Sequence, residues 1–193
     1  MSINFESASV PIEFITLKEL EAGLELIRSA PKDGGPLRLI VRRPNTGERE
    51  LVQSAELDLR EGLKGDNWLA RGSTKTADGS ANPEAQLTLM NFRVITLIAR
   101  ASDRILLAGD QLFLDLDLSI HNFPPGARIS LGTSVLEFTE PPHTGCNKFL
   151  QRFGADAMKF VNSVMGRELR LRGANAKVIV PGIVQIGNPA MKL

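Results

Sequence analysis

Residues 111–120 read QLFLDLDLSI, and over most of this stretch apolar side chains alternate with polar ones. A period of two belongs to a strand with one face in a core and the other in water. The stretch ARISLGTSVLEFTE, 127–140, repeats the theme. Upstream, PLRLIVRR (36–43), the turn-like PNTGE (44–48) and RELVQSAELDL (49–59) read as a hairpin. QLTLMNFRVITLIA (86–99) has the look of further hairpin material, and KVIVPGIVQIGNP (177–189) reads as two strands about a Pro-Gly turn. Short strands divided by turn signals, with few helices between them, predict a mainly β fold, a closed or nearly closed β-barrel.

Two segments carry helical periodicity instead. In TLKELEAGLELIRSAP (16–31), Leu17, Leu20, Leu24 and Ile27 fall on one face, and Thr16 with Glu19 has the form of a capping box. In NKFLQRFGADAMKFVNSVMG (147–166), Phe149, Phe153, Met158, Phe160, Val161 and Val164 suit one or two helices better than strands. The expected organisation is therefore a helical extension over 1–35 packed on a barrel domain over 36–193, with a helical insertion near 147–166. Residues 69–85, LARGSTKTADGSANPEA, have no periodicity and form a loop long enough to suggest a lid or binding role beside that of a plain surface loop.

Composition bounds the function. Charged residues make up 23% of the 193, hydrophobic residues 42%, and the net charge is +1. That balance points away from nucleic acid and from a membrane as the main partner. The apolar runs are too short to span a bilayer. One cysteine cannot form an internal disulfide, and MSINFESASV lacks the basic flank and apolar run of a secretory signal, so a cytoplasmic setting is expected. Phosphate-binding glycine loops followed by Lys-Ser/Thr, paired histidines, CxxC and GxSxG are all missing. With His121 and His143 as the only histidines, a zinc site would have to rest on carboxylates and one thiolate, and no spacing supports it.

What remains is EPPHTGCNKF (140–149), which holds the single cysteine, Cys146. Pro141 and Pro142 stiffen the approach, Gly145 permits unusual backbone angles, and the residues after Cys146 resemble the first turn of a helix. Lys148, Arg152 and a protonated His143 would favour thiolate over thiol, the form that acts as nucleophile, sulfur carrier or metal ligand. The plain alternative is a buried, inert cysteine.

GLKGDNW (62–68), LMNFRVITLIA (89–99), LLAGDQLFLDLDLSI (106–120), PPGARISLGTSVLEFTEPPHTGCNKF (124–149) and RGANAKVIVPGIVQIGN (172–188) follow one another in an order and spacing that resemble a MOSC domain, the module at the end of molybdenum cofactor sulfurases. The resemblance spans about residues 36–188. Its most telling part is the glycine-bounded strand pair ending in Leu-Glu-Phe-Thr, followed shortly by a lone cysteine. The chain departs from the family pattern where Asn67 and Trp68 follow Asp66, where Gly109, Asp110 and Gln111 replace the common Gly-Glu-Asn, and where RGANAKV lacks the usual aromatic.

The resemblance implies a MOSC-type barrel and a pocket in which Cys146 handles sulfur, as a persulfide, or ligates molybdenum. Molybdenum cofactor (molybdopterin) carries a phosphate and a charged dithiolene, so donors and positive charge are expected near the thiol. Lys64, Arg93, Lys148 and Arg172 lie in the matching motifs, with Arg93 placed where a strand end would aim it into a cleft. Asp66 is expected to order the Lys64 loop or accept a proton, His143 to donate one beside the thiol, and Trp68 to stack on a pterin or pack in the core.

At 193 residues the sequence leaves no room for a pyridoxal-phosphate desulfurase domain beside the barrel and none is expected in it, so a cysteine desulfurase or a molybdoenzyme is the expected sulfur donor or acceptor. Three functions follow. One is a stand-alone cofactor-binding or sulfur-carrying protein. Another is a molybdenum-dependent reductase of N-hydroxylated compounds fed by an electron-transfer partner. The third is a non-catalytic binding barrel with an inert cysteine.

Overall fold

The computed structural model describes residues 13–193. MSINFESASV and the first twelve positions of the expected helical extension lie outside the described residues.

Seven strands close into a barrel. They are β1 (Gly35–Arg42), β5 (Leu87–Asn91), β6 (Leu112–Leu114), β7 (Arg128–Leu131), β8 (Ser134–Phe138), β9 (Ala174–Val180) and β11 (Pro189–Lys192). Around the barrel the order is β1, β11, β7, β8, β9, β5, β6 and back to β1, with β5 and β6 the parallel pair. β2 (Glu50–Val52) hangs on β1 as an antiparallel branch. β3 (Ser54–Asp58), β4 (Gly62–Leu63) and β10 (Gly182–Gln185) form a separate three-stranded sheet.

Period-two alternation divides the strand residues between two cores. Leu37, Leu87, Leu89, Leu112, Leu114, Leu131, Leu136 and Phe138 belong to one buried cluster, the barrel's interior. The opposite parity on β5 and β6, Met90 and Phe113, belongs to a second cluster beneath helices, as does Val41, which a register shift between Leu37 and Leu39 brings to that face of β1. Phe113 thus explains the break in the 111–120 alternation. It faces outward, but helices cover it.

Those helices are α1 (Leu17–Ala22), α2 (Leu24–Arg28), α4 (Phe92–Ala99), α6 (Asn147–Asn162) and α7 (Val164–Glu168), with the short α3 (Trp68–Arg71) and α5 (Ser102–Ile105) in connecting segments. Thr16 and Glu19 make the expected reciprocal cap at the start of α1. Leu20 and Ile27 reach the same cluster as Val94, Ile98, Phe149, Phe153 and Phe160, so the first helices and the 147–166 insertion share one core against the barrel wall.

Two expectations need correction. FRVITLIA is a helix rather than the second arm of a hairpin: the Asn91 side chain accepts from the Arg93 N–H at 2.8 Å and caps α4, turning the chain off the sheet. Ladder pairing in QLFLDLDLSI stops at Leu114, although Leu116 and Leu118 stay buried. Beyond it the backbone bonds to the start of β1 and to the segment before it, Asp115 N–H to Pro36 O and Asp117 N–H to Pro31 O. The C-terminal PAMK forms β11, which pairs with both β1 and β7 and closes the barrel.

Among the described residues no helix is long and apolar enough to cross a membrane.

Candidate functional site

Cys146 follows the β8–α6 loop and occupies the N-cap position of α6 with an extended backbone. Its side chain is exposed and caps no backbone group. The loop before it is held by Gly145, whose N–H donates to the Asn162 carboxamide oxygen at 2.9 Å. Pro141 is tied from the other side, its carbonyl accepting from Asn175 Nδ2 at 2.8 Å.

Two clefts meet at this loop, and both are lined by His143 and Cys146. The smaller, about 280 Å³, is lined by Arg43, Arg49, Arg71, Lys148, Arg152 and Arg172. The larger, about 900 Å³, opens under residues 72–79, with Lys75, Asn82 and Asn175 on its walls. Among the described residues neither lining includes a carboxylate. The surroundings of the thiol are therefore strongly cationic although the whole chain is nearly neutral.

The arginines are placed by buried acids behind the wall. Asp66, fully buried, accepts from Arg43 Nε and Nη2 at 2.7 Å each and from the backbone N–H groups of Arg43 and Trp68. Arg43 Nη1 then donates to Gly109 O at 2.9 Å. Asp110, also fully buried, accepts from Arg172 Nη1 at 2.7 Å, and Arg172 Nη2 reaches Ala108 O. The Arg172 guanidinium lies 5.0 Å above the Phe149 ring at the start of α6. β1, the β4–α3 turn, the 106–111 turn and the start of β9 are thereby joined behind the thiol.

Charge crowding shows in the titration of these groups. Burial, together with Arg152, Arg43 and Arg71, lowers the Arg49 guanidinium from its ordinary value. Burial and Arg43 lower that of Arg71. Burial pushes the Asp110 carboxyl upward against the pull of Arg172. The His143 imidazole is pushed well below its usual value by burial and by Arg172, Arg43 and Lys75, so it is neutral near pH 7. Several buried polar atoms here lack a partner: Arg49 Nε, Arg172 Nε, Asn67 Oδ1, His143 Nδ1 and Asp110 Oδ1.

The residues singled out from sequence divide accordingly. Cys146, His143, Lys148 and Arg172 come together on the clefts. Asp66 lies behind the wall, its carboxylate committed to Arg43 and the Trp68 N–H, so it orders its loop and positions an arginine. Arg93 stands elsewhere: at the start of α4 it pairs with Asp115 at 2.6 Å and binds Leu26 O and Ser29 Oγ. Lys64 pairs with Glu56 at 2.7 Å on the surface. Trp68 is buried, 5% exposed. Among the described residues no three His, Cys, Asp or Glu side chains are grouped to hold a metal ion.

Sequence reasoning missed Arg43, Arg49 and Arg71, which arrive from the β1–β2 connection and from α3. Asp110 carried a signal, since it stands in one of the motifs that depart from the family pattern.

No protein-family model and no curated protein sequence matches the chain. Its fold is shared with solved structures. YuaD of Bacillus subtilis aligns over 81% of this chain and 93% of its own, with TM-score 0.60 and 13% identity. YiiM of Escherichia coli aligns over 82% and 69%, with TM-score 0.54 and 19% identity. A structure titled only as a hypothetical protein aligns over 82% and 66%, with TM-score 0.56 and 19% identity. The matched region thus spans about two thirds of two of these proteins. At such identities the likeness is one of fold.

Proposed function

We propose that this chain is a stand-alone MOSC-domain protein that holds molybdenum cofactor, or carries sulfur for it, through Cys146. The observation that carries the reading is the placement of the one thiol, exposed, at the junction of two clefts whose charged lining is all cationic. The order of the sequence motifs and the barrel shared with YuaD and YiiM support it.

The residues fit such a group. Arg49 and Arg172 each keep a buried Nε–H without a partner beside the thiol, and an anion would satisfy such donors. Arg43, Arg49, Arg71, Arg152, Arg172 and Lys148 would hold phosphate and dithiolene charge, while Cys146 would offer a soft thiolate to sulfur or to molybdenum. When bound, the cofactor supplies the redox or sulfur-accepting centre. The chain's own contribution is binding, charge neutralisation and the thiol.

Metal and pterin analysis of protein purified from cofactor-competent cells, beside Cys146→Ser, tests this. Stoichiometric molybdenum lost in the variant marks Cys146 as a metal ligand and favours the reductase form. Metal-free protein whose Cys146 accepts persulfide from a cysteine desulfurase favours the carrier form. Protein that takes up neither is an inert barrel, and the proposal falls.

A further inference from the structure

His143 stands where the two clefts meet, and its surroundings fix more than its charge. The side chain is 15% exposed, and Nδ1 is fully buried without a hydrogen-bond partner. That atom lies 3.8 Å from Asp110 Oδ1, which is likewise buried and unpartnered, while Asp110 Oδ2 is engaged by Arg172. A gap of 3.8 Å exceeds a hydrogen bond, so the pairing requires the ring to turn toward Asp110. A proton on Nδ1 then satisfies both orphaned atoms at once, whereas a bare Nδ1 would set a lone pair against a carboxylate. With Nδ1 protonated and the imidazole neutral, Nε2 is left as an acceptor, and the accessible edge of the ring faces the clefts it lines.

Every charged side chain on the two linings is a donor, six in the smaller cleft with Lys75 added in the larger. Against them, an imidazole acceptor reads something that cations cannot. We infer that His143, held in its Nδ1–H tautomer by Asp110, makes the Cys146 cleft select an anion carrying an O–H or N–H over an anion of the same charge that carries none. This rests on the cleft being the functional site, but neither molybdenum nor catalysis is needed to test it. Asp110 and Arg172 act as positioning residues, and His143 determines specificity.

Hydrogen phosphate and sulfate are suitable probes. At about pH 8 both are dianions, and phosphate alone keeps an O–H. Calorimetry on the full chain at low salt should find phosphate bound roughly three- to tenfold more tightly than sulfate, the worth of one ordinary hydrogen bond. His143→Ala should remove the preference while both anions still bind the arginines. Ring nitrogen NMR of the wild-type chain, with His121 assigned by substitution, should show neutral Nδ1–H His143, with the Nε2 signal moved by phosphate and not by sulfate. An Nε2–H tautomer, equal affinity for the two anions, a preference that survives His143→Ala, or no binding of either anion overturns the inference. A chain that prefers phosphate yet never acquires cofactor or persulfide would sink the proposed function and leave this selection standing.

Discussion

Arg172 Nη1 donates to Asp110 Oδ2 at 2.7 Å, and the two side chains are 7% and 0% exposed. A pair so enclosed has lost its hydration, and each charge depends on the other. Arg172→Leu leaves Asp110 buried without its main counter-charge and should destabilise the fold by about 3–5 kcal/mol. Replacing both, as Asp110→Leu with Arg172→Leu, should recover part of that loss because no lone charge is left behind. Urea denaturation of the single and double variants measures the difference. A single variant within about 1 kcal/mol of wild type would show that water reaches the pair.

Cys146 stands at the opposite extreme, exposed and free of side-chain hydrogen bonds to the helix it precedes. Cys146→Ser should not destabilise the fold, and a serine at this uncapped N-cap position should raise stability by up to about 1 kcal/mol. The native thiol should also be alkylated without prior unfolding. Mass spectrometry of the folded chain after brief iodoacetamide treatment reads this, and protection until the chain unfolds would place the thiol inside the core.

How far the site was legible in the sequence follows from where its parts originate. Alternation in 127–140 reveals the barrel because core on one face and a wetter environment on the other impose a period of two, whereas in 111–120 both faces of β6 are covered and the alternation runs on past the ladder. FRVITLIA misleads because its β-branched run suits a strand, while the Asn91 cap and the helical-face burial of Val94, Ile95 and Ile98 favour a helix. β11 leaves almost no trace, being four residues with a proline and one buried side chain, Ala190. Cys146, His143 and Lys148 lie within six residues of one another, so a local motif holds them together. Arg43, Arg49 and Arg71 reach the same cleft from other elements, and no local pattern marks them. Arg93 drew attention as a charge in an apolar run; that charge is spent on Asp115.

Arg93 therefore predicts stability. Burial raises the Asp115 carboxyl, but hydrogen bonds from Arg93 and Arg38 outweigh it and hold the group below its ordinary value. A carboxylate depressed in the folded state stabilises the fold at pH above its unfolded value, and that gain is lost as pH falls through the folded value. Arg93→Ala should thus lower stability near neutrality and by less at a pH below the ordinary aspartate range near 4. Denaturation midpoints at the two ends of that window should converge. A constant difference would assign the effect to lost contacts with Leu26 and Ser29 instead.

His143 titrates with the opposite sense. Its folded value lies well below the ordinary one, so between the two the unfolded chain binds a proton that the folded chain refuses. Stability should fall as pH drops below about 6.5, by at most about 1.4 kcal/mol per unit from this group. His143→Gln should flatten that part of the curve. Urea midpoints measured from neutrality down to about pH 5 compare the two, and parallel curves would mean that the ring takes up a proton as readily in the folded chain as in the unfolded one.

Gly72 lines the larger cleft. It sits at φ 66° just after α3, and a Cβ there would collide with the carbonyl oxygen of Gly79. That carbonyl accepts from the Ser73 N–H at 3.2 Å, and Thr76 Oγ1 bonds to Ser73 O and Ser80 O, so residues 72–80 fold back on themselves along the cleft that Cys146 also lines. Gly72→Ala combines a strained backbone with a backbone collision, and the loop must open to relieve both. Because this loop contributes little apolar surface, the change in global unfolding should stay below about 1 kcal/mol. Limited proteolysis within 72–80 should accelerate. A variant as resistant as wild type would show that the loop closes without the Gly72–Gly79 approach.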